Sequence, residues 1–103
     1  MTRQQEQCFT YLGKWCEILQ IENAPTLHVV PRSKTDGADA VCEYYDALET
    51  GFVIKIAKGP HVDLESDILH ELMHVRTGCT DQIHETWIRK LTDALLALDR
   101  AKR

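Results

Sequence analysis

The chain has no apolar run approaching a membrane span, which takes about 20 mostly apolar residues. Its first residues include Arg3, Gln4 and Gln5 and lack the apolar core of a secretion signal. These absences lead us to expect a cytoplasmic protein with no membrane partner. A basic excess is missing too: 12 Lys and Arg stand against 16 Asp and Glu, a net charge of −4. Phosphate binding needs a basic surface, so nucleic acid is not an expected partner. Cys8, Cys16, Cys42 and Cys79 show no C-x-x-C spacing. Without a secretion signal they read as reduced thiols, and Cys79 lies near enough to the motif below to be weighed as a ligand. No repeat, low-complexity stretch or domain boundary interrupts the sequence. Residues 1–103, 44% hydrophobic and 27% charged, are expected to form one small globular domain.

Pro and Gly are also absent from residues 63–77, and that stretch carries His70-Glu71-Leu72-Met73-His74. Two histidines four apart lie one helical turn apart on one face, so both imidazoles can reach one metal ion. The Glu beside the first His can then contact a metal-bound water without being a ligand. This is the H-E-x-x-H arrangement, in which the Glu serves as general base. The helical context supports it. Asp63 is a natural N-cap, Glu65 and Asp67 suit the first turn, and Gly78 is a natural stop. Leu64, Ile68, Leu72 and Val75 form an apolar stripe widened by Leu69 and Met73. Asp67, His70, Glu71 and His74 group off that stripe. Glu65 and Arg76 fall on its apolar side.

Residues 3–20 read as an amphipathic helix that packs through Cys8, Phe9, Leu12, Trp15, Cys16 and Leu19. The β-branched run at 26–30 reads as a strand, and the polar stretch 31–39 as a mobile loop or plain connector. Residues 41–48 and 52–57 read as two strands of a hairpin. His61, near the start of the motif helix, is expected on the surface. Thr80 or Asp81 is expected to cap a last helix ending near residue 100, with Ile83, Trp87, Leu91, Ala94 and Leu98 as its main stripe and Ile88 and Leu95 beside it. The expected fold class is α+β: an N-terminal helix, a small three-stranded sheet, the motif helix and a C-terminal helix.

Catalytic zinc takes three protein ligands and leaves a position for water. The metzincin extension would need Gly and His where the chain has Thr77 and Thr80. The candidates are His84 and Glu85, at the start of the last helix. Periodicity favours His84, which lies closer to the apolar stripe.

Residues 52–96 resemble small gluzincin-like metallopeptidases, in particular the ImmA/IrrE-type group of phages and mobile elements. The resemblance rests on His70, Glu71 and His74, and on Glu85 followed by Ile88, Leu91 and Leu95-Leu96. It implies a minimal zincin core, Zn2+ held by His70, His74 and Glu85, and Glu71 as the base in peptide-bond hydrolysis. It also implies an extended protein or peptide substrate held by an edge strand of the hairpin. Where the family has a small residue after the Glu, this chain has Ile88. SprT-like proteases use a third His, to which His84 followed by Trp87 is loosely similar, so both candidates stay open. Tyr44 or Tyr45 is weighed as an oxyanion stabiliser, against simple packing on the sheet. Two further readings remain: a catalytically silent zinc-containing module acting through a protein partner, and a helix with no metal at all. Retention of Glu71 leans toward catalysis, because a structural site needs no base.

Overall fold

The computed structural model describes residues 1–45, 51–78 and 84–102. The fold is α+β, with three helices and a small mixed sheet, in the expected layout. The elements are α1 (Arg3–Ile18), β1 (Thr26–Val30), β2 (Ala40–Tyr44), β3 (Phe52–Ala57), α2 (Leu64–Thr77) and α3 (Glu85–Ala101).

The sheet order is β1-β3-β2, with β1 parallel and β2 antiparallel to β3. The central place of β3 follows from its composition. Val53, Ile54, Ile56 and Ala57 are all buried, so the strand is apolar on both faces and needs a neighbour on each side. β2 is therefore an edge strand. The segment expected to be a plain connector is structured between β1 and β2. It holds a 3-10 turn over Arg32–Thr35, a buried Thr35, and an Arg32–Asp39 ion pair at 2.8 Å. The Asp39 carbonyl accepts from the Ala57 N–H at 2.9 Å, which ties this segment to β3.

α2 packs against α1, α3, β2 and β3. Its ends are those expected from the sequence. The Asp63 side chain accepts from the Ser66 N–H, and Gly78 adopts φ +69°, with its N–H on the His74 and Val75 carbonyls. Ile68, Leu69, Leu72 and Met73 are buried. Each such side chain contributes about 1.5–3 kcal/mol, so packing rather than intrinsic propensity holds this short helix. Glu65, on the apolar side, is buried as well. It accepts from Trp15 Nε1 at 2.9 Å and Lys14 Nζ at 2.7 Å, with Arg100 at 3.4 Å. The carboxylate thus joins α1 and α3 to α2.

Three expectations are corrected. Phe9 is 45% exposed rather than packed. The His61 side chain is only 2% exposed, not on the surface. The buried row of α3 is Ile88, Thr92 and Leu96, while Trp87 and Leu98 face outward. In this roll Ile88 and Leu96 enter the core with Leu91 and Leu95 packed against it, and Asp99 pairs with Lys14 at 2.8 Å and Arg100 with Asp63 at 2.9 Å. The expected caps Thr80 and Asp81, together with Ile83, lie outside the described residues. None of the described helices is long and apolar enough to cross a membrane.

Candidate metal centre

α2 presents His70, Glu71 and His74 on one face, and their donor atoms lie within 4.8 Å of one another. The two rings stand edge to face with centroids 5.0 Å apart. The roll of α3 brings Glu85 to them. Its Oε1 lies 2.9 Å from His70 Nε2 and 3.2 Å from His74 Nε2, and its Oε2 lies 2.9 Å from His70 Nε2. His84 stands exposed at the N-cap of α3, where its side chain makes no capping bond. The periodicity argument for His84 therefore does not describe this fold. Its premise was a stripe through Trp87 and Leu98, and the buried row runs from Glu85 through Ile88, Thr92 and Leu96. Cys79 lies outside the described residues. Cys42 is a partly buried thiol pushed up to about 12, by burial first and then by the charges of Glu71 and Glu43.

The donor set suits zinc: two imidazole nitrogens and a carboxylate oxygen. Ligand atoms that share one tetrahedral ion at about 2.0–2.2 Å are about 3.3 Å from each other. The observed 2.9 and 3.2 Å separations between Glu85 and the two histidines are hydrogen-bond lengths, from which small side-chain shifts would open that spacing. Burial pushes the Glu85 carboxyl up. The hydrogen bonds and charges of His70 and His74 outweigh it and hold the group below the usual glutamate range.

Glu71 differs in kind. It is 6% exposed and makes no hydrogen bond or ion pair among the described residues. Burial pushes its carboxyl up to about 7; the His74 charge opposes this, and Glu85 and Asp67 add to it. No fully buried side-chain oxygen among the described residues lacks a hydrogen-bond partner, so the Glu71 carboxylate meets solvent through the cavity that it lines.

His70, Glu71 and Glu85 open on a cavity of about 690 Å³. Its walls are the start of β2 (Ala40, Val41), the segment before it (Ala38, Asp39), and the facing sides of α2 and α3. The edge strand expected near the site is thus β2. Sequence reasoning missed the contribution of residues 38 and 39, because a polar, turn-rich stretch carries no signal of what it packs against. Tyr44 stacks edge-on against Phe52 at 5.0 Å, and Tyr45 bonds Glu43. Neither lines the cavity, and Arg89 is the only Lys or Arg among the described residues that does.

Outside this set, His61 bridges Asp67 and the Ala57 carbonyl. Searches against family models, curated proteins and solved structures find no match to this chain.

Proposed function

We propose that the protein is a zinc-dependent metallopeptidase with a minimal zincin-type core. His70, His74 and Glu85 would hold the metal and Glu71 would be the general base. The observation that carries this reading is the Glu71 carboxylate at the cavity, beside two imidazoles that a second carboxylate, Glu85, bridges.

Bound zinc supplies Lewis acidity, which activates water and polarises a carbonyl. The chain's own part follows from its geometry. Glu71 accepts a proton from the attacking water on its carboxylate and returns it to the leaving amine. β2 is an edge strand among the described residues and its start lines the cavity, which supports an extended peptide substrate, because a strand edge offers main-chain hydrogen bonds to an added strand. Arg89 supplies positive charge at a cavity otherwise rich in carboxylates. A protein partner that supplies specificity, and a cytoplasmic setting, belong to the same proposal; the free thiols of Cys8, Cys16 and Cys42 suit a reducing compartment.

A second reading keeps the zinc and drops the chemistry. The outward Trp87 and Leu98 of α3, 50% and 63% exposed, favour a module that binds a protein partner. One experiment separates the readings. After reconstitution, elemental analysis should find one zinc per chain, lost in His70→Ala. Zinc-loaded Glu71→Gln should keep the metal and lose cleavage of a denatured protein or peptide pool. No zinc in the parent ends the metal reading. Equal cleavage by Glu71→Gln removes Glu71 as the base.

A further inference from the structure

We propose that His61 and Asp67 form a positioning pair that fixes the metal-bearing face of α2 against the sheet, an inference that rests on the zinc reading above. His61 belongs to the segment between β3 and α2, where an exposed side chain would be ordinary, yet its ring is enclosed. Its Nε2 lies 2.7 Å from the Ala57 carbonyl oxygen and its Nδ1 lies 2.7 Å from Asp67 Oδ2. A carbonyl only accepts, so Nε2 carries hydrogen and donates. The Nδ1 contact needs a proton as well, because a bare ring nitrogen and a carboxylate oxygen repel at that distance; ring or carboxyl can carry it, since burial pushes the Asp67 carboxyl up. The pair therefore holds one proton between ring and carboxylate, with a second on the far side of the ring.

Three elements meet at this imidazole. Ala57 ends β3, and its carbonyl also accepts from Gln4 Nε2 of α1 at 3.3 Å. The same Gln4 amide holds Gly59, donating to its carbonyl at 2.9 Å and accepting from its N–H at 3.1 Å. Asp67 lies on α2, four residues before Glu71 and seven before His74, so all three share a face. Whatever sets the roll of α2 at Asp67 sets it for the base and for a ligand. Asp67 also lines the cavity, so the pair supports the floor on which these side chains stand.

The competing occupant of this place is a second cation, since the donor atoms of Asp39, His61 and Asp67 lie within 4.8 Å of one another. The pairing of Asp39 favours the proton: its carboxylate is held by Arg32 at 2.8 Å, which leaves two donors, too few for a closed cation site.

The test uses Zn2+ and Co2+ on the full chain. Zinc affinity is read by competition with a chromophoric chelator, and ligand geometry by the visible spectrum of the cobalt form. His61→Ala should weaken zinc binding about 10-fold, in the range for removing a supporting partner, and should alter the cobalt spectrum. His61→Gln, whose amide can still donate to the Ala57 carbonyl, should fall between. Nitrogen NMR of the parent, which needs no variant to fold, should show hydrogen on Nε2 of His61. A hydrogen-free Nε2 overturns the proposal, as does parental zinc affinity with an unchanged cobalt spectrum in His61→Ala. Two zinc ions per parent chain, one of them lost in His61→Ala, also overturn it and put a metal in place of the proton. A parent that binds no zinc overturns the metal reading itself, and the positioning role with it.

Discussion

Glu65→Ala tests how the helix that carries the motif is held. Glu65 is 4% exposed, and its carboxylate accepts from Trp15, Lys14 and Arg100. Trp15 is 1% exposed, so in the variant its indole N–H, now 2.9 Å from Glu65 Oε2, would face a void. An orphaned buried donor costs about 1–3 kcal/mol, and a hydrogen bond to a charged group contributes about 1.5–3 kcal/mol. Lys14 and Arg100 lose less. Their side chains are 29% and 42% exposed, and each keeps a second partner, Asp99 and Asp63 respectively. Exposed pairs are worth about 0–1 kcal/mol. Because these contributions share one carboxylate and overlap, the expected loss is about 2–4 kcal/mol. With a urea slope of about 1.5 kcal/mol per molar, the midpoint of the metal-free protein should fall by about 1.3–2.7 M. Glu65→Gln keeps an acceptor for Trp15 and should lose less than half of that.

The pH profile adds a sign. Burial raises the Glu65 carboxyl, but the bonds from Lys14 and Trp15, the Lys14 charge and Arg100 together hold it below the ordinary glutamate range. A depressed folded value means that the contribution is complete above the unfolded pKa, about 4.3, and is lost as pH falls below it. The gap between parent and Glu65→Ala should therefore narrow under acid. A Glu65→Ala variant within about 0.5 kcal/mol of the parent at neutral pH, or a gap that widens below pH about 4, would refute this account of the network.

Two other substitutions test the site and its helix. Glu85→Ala should lower zinc affinity far more than His84→Ala, because Glu85 Oε1 stands 2.9 and 3.2 Å from the two imidazoles; loss of zinc only in His84→Ala, read by chelator competition, would replace the ligand set with three histidines. Gly78→Ala should destabilise by about 1–2 kcal/mol in a denaturation series, since a β-carbon is strained in the left-handed region that Gly78 occupies at φ +69°. A neutral Gly78→Ala would mean that the C-terminus of α2 ends differently in solution.

Local chemistry made α2 legible from the sequence. An Asp cap, acids in the first turn, a Gly stop and a 3.6-residue apolar period all act within a few residues, so Asp63, Gly78 and the grouping of His70, Glu71 and His74 could be read directly. β1 and β3 were legible for the same reason, as short β-branched runs closed by turn residues. The roll of α3 was not. Its most apolar row, through Trp87 and Leu98, is not the row it buries, because the packing of Ile88 and Leu96 into the core and the contacts of Asp99 and Arg100 join residues far apart in the chain. Which of His84 and Glu85 meets the two imidazoles depended on that roll, since neighbours on a helix point about 100° apart. The enclosure of His61, the partnering of Glu65 and the cavity wall at residues 38 and 39 are of the same kind. Each joins groups separated by several to many residues through the path of the chain, and no local period encodes that path, so only the tertiary structure decided them.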